Sequence, residues 1–343
     1  MPFLKTYKLN LVILLLALVI CFFINISLGS INIPLRSIFS TLLGSNTENE
    51  TWRYIVLNFR IPKAITAILT GCSLSLSGLL MQTLFRNPLA GPFVLGISSG
   101  ASLGVAVLVM GASLLGGITS STIAGNATLA IAASIGSFAV LSVVIIVASR
   151  VRDTMALLII GLMFGSITAA IVSVLSYFST MENLQQYIFW SYGSLGNLSW
   201  NQIILFSVFF FAGIVLVIFS IKPLNSLLLG ENYARSMGLD IKKSRYLIIF
   251  ATSILAGSAT SFAGPIAFVG LAVPHLTKQI FNTANHQILI PAVLIYGALL
   301  MLICDTIAQL PNSAYTLPIN AITSMVGAPV VIWLLIRKRK MIF

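Results

Sequence analysis

Charge is what this chain of 343 residues has least of: only 8% of its residues are Asp, Glu, Lys or Arg, against 58% hydrophobic. A soluble domain carries roughly 25% charged residues, so no water-facing surface can be built from this inventory. Acidic groups are scarcer still, seven in all, and there are two histidines, His275 and His286. Neither histidine sits in a His-Glu-x-x-His pattern, and no cluster of nucleophile, base and orienting group is seen, so a membrane hydrolase or metalloprotease is the reading with least support. No catalytic residue and no metal site is expected. The three cysteines, Cys21, Cys72 and Cys304, all lie inside apolar segments with no paired spacing. They read as packing residues, not as a disulfide or metal framework. The chain also lacks a Gly-x-x-x-x-Gly-Lys-[Ser/Thr] phosphate loop, so it is not expected to bind ATP. Apolar-polar alternation over about ten residues, the mark of a transmembrane barrel strand, is missing.

What the sequence does have is long apolar runs. Most are about 20 residues, enough for a helix to cross a hydrocarbon core of roughly 30 Å. Backbone groups in lipid must pair within their own segment, which selects helices. The expected fold is therefore all-α and polytopic, one integral-membrane domain over residues 1–343. Ten spans are predicted, at 9–28, 62–85, 93–115, 122–149, 155–178, 200–221, 246–263, 266–281, 288–309 and 319–336. The first follows Lys5 and Lys8 and could pass for a secretory signal; it is read as a retained span, because no small-x-small cleavage site follows.

The net charge of +12 would suggest nucleic acid in a soluble protein. Its distribution says otherwise. With both termini cytoplasmic, the inner loops hold fifteen basic residues, among them Arg86, Arg150, Arg152, Lys222, Lys278 and the Arg337 to Lys340 cluster. The outer loops hold four: Arg36, Arg53, Arg60 and Lys63. That is the positive-inside bias of a membrane protein. Two long apolar stretches divide at Gly91-Pro92 and Gly264-Pro265, both turn-forming dipeptides. Gly96, Gly100 and Gly104 form one small-residue ridge, and Gly161 with Gly165 another; such ridges let helices approach closely. Asp305 falls near the outer end of the ninth span and Glu182 in an outer loop. Asp305 is the best candidate for an ion-coupling group, although hydrogen bonding to a neighbouring helix explains it as well.

Little remains but a conduit without an energy source of its own. One stretch suggests where energy enters. Residues 222–245 form an inner loop between spans six and seven, in which Lys222-Pro223 ends span six. Gly230 and Gly238 there can bound a short polar helix in left-handed conformations. Glu231 suits the positive end of that helix, and Lys242, Lys243 and Arg245 anchor the start of span seven.

Several longer runs complete the pattern: Arg60-Ile61-Pro62-Lys63, Phe85-Arg86-Asn87-Pro88-Leu89-Ala90-Gly91-Pro92, Leu95-Gly96-Ile97-Ser98-Ser99-Gly100-Ala101, and Gly264-Pro265-Ile266-Ala267-Phe268-Val269-Gly270-Leu271-Ala272-Val273-Pro274-His275. With the Glu231, Ala234, Gly238 spacing, they resemble the FecCD-type permeases, the iron-siderophore, haem and vitamin-B12 family of ABC importers, over nearly the whole chain. The resemblance implies ten spans per subunit and two permeases, copies or paralogues, forming one pathway. It also implies two cytoplasmic ATPases that bind the ATP and magnesium, and an extracytoplasmic binding protein that delivers a metal chelate. Ferric siderophore is the expected substrate class, with haem or cobalamin as alternatives. The location implied is the bacterial cytoplasmic (inner) membrane.

Site residues follow from the same resemblance. Glu231, Ala234, Arg235 and Gly238 would couple to the ATPase. Arg60 and Lys63 would dock the binding protein; the other reading of this pair is interfacial anchoring of a helix end. The family's third basic docking position falls on Gln309 here, so docking would rest on fewer charges. Thr154 and Met155 would line a cytoplasmic gate. Asn87, Pro88, Gly91, Pro92, Gly264, Pro265 and Pro274 would break helices near the pathway, where protein surrounds irregular backbone. The competing class is a secondary carrier working alone, with Asp305 at its centre.

Overall fold

The structure, a computed structural model, describes residues 2–44, 49–111, 126–150, 154–313 and 315–336. Its helices are α1 (Pro2–Ser27), α2 (Leu35–Leu42), α3 (Glu50–Ile55), α4 (Ile61–Leu84), α5 (Ile97–Ala106), α6 (Asn126–Arg150), α7 (Thr154–Tyr177), α8 (Met181–Ser191), α9 (Trp200–Leu228), α10 (Glu231–Ser236), α11 (Ile241–Ala263), α12 (Val269–Phe281), α13 (His286–Ala308) and α14 (Ile319–Ile336). Among the described residues, seven helices are long and apolar enough to cross a membrane, and Ile97–Gly111 and Ile319–Trp333 are shorter apolar ones. With α12, each of the ten predicted spans has its helix.

Some boundaries differ from the sequence reading. The second span does not begin at 62: a π-helical turn, Val56–Arg60, joins α3 to α4 into one run from Glu50 to Leu84. A π turn widens the helix by one residue and turns the side chains beyond it. Lys222-Pro223 does not end the sixth span. Pro223 lies inside α9, which continues to Leu228. Pro274 does not break its helix either, and α12 runs through it to Phe281. The eighth span is shorter than predicted, because helix begins only at Val269.

α4 is the centre of the bundle. All but Lys63, Ile65 and Ile68 of its 24 residues are buried. It packs against α9, α11, α12 and α13. Two glycines make this possible. A Cβ on Gly71 would strike the carbonyl oxygen of Gly297 on α13, and one on Gly78 would strike that of Gly270 on α12. Backbones touch at both places, which stands in for the hydrophobic drive that lipid does not supply. Pro274 belongs to this contact: it has no N–H to donate to the Gly270 carbonyl one turn earlier, and Gly78 approaches that carbonyl. Three buried hydroxyls of α4 return to their own helix, Thr66 to the Pro62 carbonyl at 2.8 Å, Ser77 to that of Leu74 at 2.8 Å and Thr83 to that of Leu79 at 3.0 Å. The Gly96, Gly100 and Gly104 ridge does the same work against α6, where a Cβ on Gly100 would lie 2.5 Å from the Gly136 carbonyl oxygen.

The two helix breaks meet. After α4, Arg86 takes φ +46°, and the Asn87 side chain accepts a 2.9 Å bond from the Leu89 amide. Gly91 is extended, Pro92 opens a 3-10 turn to Leu95, and Gly96 at φ +73° starts α5. Across from it, Gly264 (φ +77°) ends α11, and Pro265 to Phe268 runs without helix before α12. A Cβ on Gly270 would lie 3.0 Å from the Pro92 ring, and Gln82 donates to the Leu271 carbonyl at 3.1 Å. The non-helical stretch is satisfied by protein: Ser194 donates to Ala263 at 2.9 Å, and the Asn320 side chain accepts from Ala267 at 3.0 Å. At the other extreme, the apolar windows of α1 and α7 are each only 11% buried, as befits lipid-facing or partner-facing helices.

Gly78→Ala should be net destabilising: overpacking costs about 1–3 kcal/mol, against about 1 kcal/mol gained from helix propensity. Gly257→Ala, where among the described residues a new Cβ would meet Ile97 at 3.8 Å and Ser137 at 3.9 Å, should be tolerated. Thermal unfolding in detergent compares the two, and an unchanged midpoint for Gly78→Ala would contradict the packing described.

Candidate functional site

Two clusters of polar side chains stand out in this apolar bundle, one at each end. On the outer side, Asp305 of α13 is only 2% exposed and receives three donors. Lys63 Nζ of α4 lies 3.0 Å from Oδ1, and Asn25 Nδ2 of α1 and Gln309 Nε2 reach Oδ2 at 2.9 and 2.7 Å. Asn25 also donates to Thr306 Oγ1 at 3.0 Å. Charge-assisted bonds of this kind are the strong ones, and an apolar surrounding makes an unpaired partner costly. Arg60 sits beside this cluster, in the π turn. Its guanidinium donates to the carbonyls of Ile26 and Ser27 at 2.5 and 2.7 Å, and to that of Ile31. Those carbonyls lie at and just beyond the C-terminus of α1, where the helix dipole favours a cation.

The structure thus brings together Lys63, Asp305 and Gln309, which the sequence presented separately. Arg60 has the geometry of a helix-end anchor. Lys63 keeps 21% of its side chain exposed and, with Asp305, borders an outer recess of about 520 Å³ walled by Tyr192, Asn197 and Thr316. Asn25 went unnoticed in the sequence. Its signal was a lone amide inside an apolar run, which asks for a buried partner.

At the inner end the residues 228–245 form a compact knob. Gly230 (φ +105°) lets the chain turn out of α9, and Glu231 opens α10. Gly238 (φ +83°) closes α10 in a Schellman arrangement, its amide donating to Arg235 at 3.0 Å and that of Leu239 to Ala234 at 3.1 Å. Asp240 then caps α11 by accepting from the Lys243 amide at 3.1 Å. That hydrogen bond, with Lys243 nearby, holds the Asp240 carboxyl below its usual range. Its contribution is present above the unfolded carboxylate pKa and lost as pH falls through the lowered one.

Within the knob the predicted residues point different ways. Ala234 is fully buried. Arg235 is exposed. Glu231 faces inward, its Oε1 3.1 Å from the guanidinium of Arg245, which is buried on the second turn of α11. Leu229, Tyr233 and Met237 are all more than half exposed. Tyr233 and Met237, four apart, put large apolar side chains on one outward side of an otherwise polar helix, a signal the sequence reading overlooked, and Leu229 adds a third at the end of α9, before the turn at Gly230.

Other candidates divide between structure and silence. His286 is fully buried and bonds Thr83 Oγ1 at 2.9 Å and Asn225 Oδ1 at 2.8 Å, tying α4, α9 and α13 together at the inner face. Among the described residues no group of three or more His, Cys, Asp or Glu could hold a metal ion. Thr154 opens α7, but the side chains of Thr154 and Met155 lie outside the described residues, as do Arg152 and the Arg337 to Lys340 cluster. Glu182 is in the first turn of α8, exposed at the outer face.

A bundle of apolar helices with broken segments at its heart and a capped polar knob at one end defines a polytopic membrane permease. The chain belongs to the FecCD transport family, whose model matches residues 17–337. It is 34% identical over 330 residues to the haemin transport system permease protein HmuU of Yersinia pestis, covering 95% of this chain and 96% of that one. It is 35% identical over 311 residues to the vitamin B12 import system permease protein BtuC of Klebsiella pneumoniae, covering 87% and 91%. Among solved structures, one presented as a metal-chelate type ABC transporter in an inward-facing conformation superposes with a TM-score of 0.83 at 28% identity, covering 96% of this chain and 99% of that one.

Two outcomes are expected from these geometries. Asp305→Ala should lower stability in detergent by about 2–3 kcal/mol, less than a wholly buried pair because Lys63 can reach water. The double variant Lys63→Met, Asp305→Leu should recover most of that loss, and additive losses would mean that the pair is not coupled. Gly238→Ala meets no neighbour but must hold a left-handed backbone at a cost of about 1–2 kcal/mol. Exchange of the Leu239 amide should quicken about tenfold by hydrogen-exchange mass spectrometry.

Proposed function

We propose that this chain is the pathway subunit of a binding-protein-dependent ABC importer for a metal chelate, with ferric siderophore as the substrate class and haem or cobalamin as the alternatives. Two permeases, copies or paralogues, would enclose the pathway in the bacterial cytoplasmic membrane. Two ATPase subunits would bind ATP and magnesium at the inner face. The observation that carries the reading is the knob. An isolated membrane protein has no reason to hold Leu229, Tyr233 and Met237 in water on a knob bounded by Gly230 and Gly238. A soluble partner with an apolar cleft, the ATPase, gives those side chains a place to be buried. The relatives named above support both the importer reading and the chelate class.

Docking of the binding protein is carried by Lys63 more than by Arg60 in this reading. Lys63 borders the outer recess, and a carboxylate arriving there would share it with Asp305. Arg60 would hold the end of α1 in place beneath that contact. Gating at Thr154 and Met155 remains part of the proposal on the strength of the family pattern alone. A carrier working alone would need Asp305 to load and release a proton or ion. Three donors fix that carboxylate instead, which favours a tie between helices.

Reconstitution with the candidate ATPase and binding protein tests this. ATP hydrolysis should rise when the binding protein is loaded from a panel of ferric hydroxamate, ferric catecholate, haem and cyanocobalamin, and one member of the panel should be imported. Tyr233→Asp with Met237→Asp should weaken ATPase co-purification at least tenfold, about 1.4 kcal/mol or more. Undiminished association would remove the knob from the interface.

A further inference from the structure

The ion pair between Glu231 and Arg245 joins the knob to a helix that crosses the whole bundle. We propose that Arg245 is a positioning residue that makes α10 and α11 move as one body, so that a push on the knob displaces α11 instead of tilting α10 alone. The inference rests on the reading that an ATPase grips the knob, and it deepens that reading by naming the internal link.

Three observations carry it. First, α10 packs mainly on α9 and α11, and a cleft of about 490 Å³ bounded by Phe85, Arg86 and Glu231 separates it from the end of α4. Its ties to the bundle therefore run through its two flanking helices. Second, the covalent link from α10 to α11 is short, Met237 to Asp240, with Gly238 in a left-handed conformation. On the α11 side that chain link alone is one point of attachment, about which α10 can tilt, since its other end is joined through Gly230 to α9. The Glu231–Arg245 contact is at the far end of α10, 14 residues away in sequence and 3.1 Å in space. Two separated attachments remove the pivot.

Third, the location of the guanidinium is costly. Arg245 is 8% exposed, whereas Glu231 keeps 39% of its side chain in contact with solvent. Burying a guanidinium is expensive, and an apolar residue of similar volume would often serve stability as well or better. A fixed, directional contact is what arginine supplies at such a place, because its planar fork holds orientation where lysine is only a point charge.

α11 has the reach to use that displacement. Its 23 residues span about 34 Å at 1.5 Å per residue. It packs against α4, α6 and α9, and it ends at the Gly264 break. That end borders an outer cavity of about 440 Å³ with Trp190 and Glu182. Rigid-body motion of a packed helix is a recognised way to carry a change across such a distance.

The test uses the full complex in lipid and the panel chelate that the native chain imports. Three quantities are measured for Arg245→Gln, Glu231→Gln, Arg245→Lys and the swapped pair Glu231→Arg with Arg245→Glu: ATPase association, ATP hydrolysis and ATP consumed per chelate imported. Arg245→Gln should keep ATPase association within about twofold and still hydrolyse ATP, while ATP consumed per chelate rises at least tenfold, and Glu231→Gln should raise that ratio as much. The swap should restore much of the coupling and Arg245→Lys only part of it, which a purely packing role would not do. Native coupling in the Gln variants would overturn the proposal, as would loss of ATPase association in parallel with import, because Glu231 would then be touching the ATPase itself. Should Arg245→Gln fail to insert, the half-exposed Glu231→Gln decides by the same criteria. A native complex that imports nothing with ATP would overturn the importer reading and this link with it.

Discussion

Close backbone contact is the constraint on which the rest of the structure depends. Lipid offers helices no hydrophobic reason to associate, so association must come from surfaces that fit. In α4 the fit is made by absence: Gly71 and Gly78 have no side chain where the Gly297 and Gly270 carbonyls arrive. That places α12 and α13 directly on the central helix. It also brings Gly270 and Leu271 against Pro92 and Gly91, so that the two interruptions of helix share one protected place. Irregular backbone at this depth is tolerable because side chains and neighbouring backbone complete its hydrogen bonds.

With so few charges, each one is placed where it settles a relation between helices. Asp305 gathers Lys63, Asn25 and Gln309, and so ties α1, α4 and α13 at the outer face. Arg60 closes the end of α1. At the inner face, His286 links Thr83 and Asn225, and Arg245 reaches Glu231. Among the described residues these charged and histidine side chains fasten the two ends of the bundle, while its middle holds apolar residues and small hydroxyls such as Thr70, Ser73 and Thr252. A permease that alternates between openings needs such fixed ends, because bistable packing moves in units and not by gradual bending.

Hydropathy and punctuation made the helices legible, since length and apolar content are properties of a single segment. Gly230, Gly238 and the Gly91-Pro92 and Gly264-Pro265 breaks were legible for the same local reason. Two prolines misled: Pro223 and Pro274 sit inside helices, because neighbouring elements accommodate the missing hydrogen bond that would otherwise end the run. The π turn at Val56–Arg60 left no trace in composition. Pairing was the harder part. Charges count toward topology in the sequence, but nothing there says that Lys63 will meet Asp305 across more than two hundred residues, or that Glu231 will turn inward. The exposed row of Leu229, Tyr233 and Met237 could have been found from its spacing, had apolar residues in the loop been weighed beside the polar ones.

The account places the power source outside the chain. It is tested most directly by uptake into proteoliposomes holding this permease, its ATPase and the loaded binding protein, with ion gradients collapsed. Uptake that requires ATP on the ATPase side and stops without the binding protein is the predicted result. Uptake by the permease alone, driven by a proton or sodium gradient and indifferent to ATP, would contradict it.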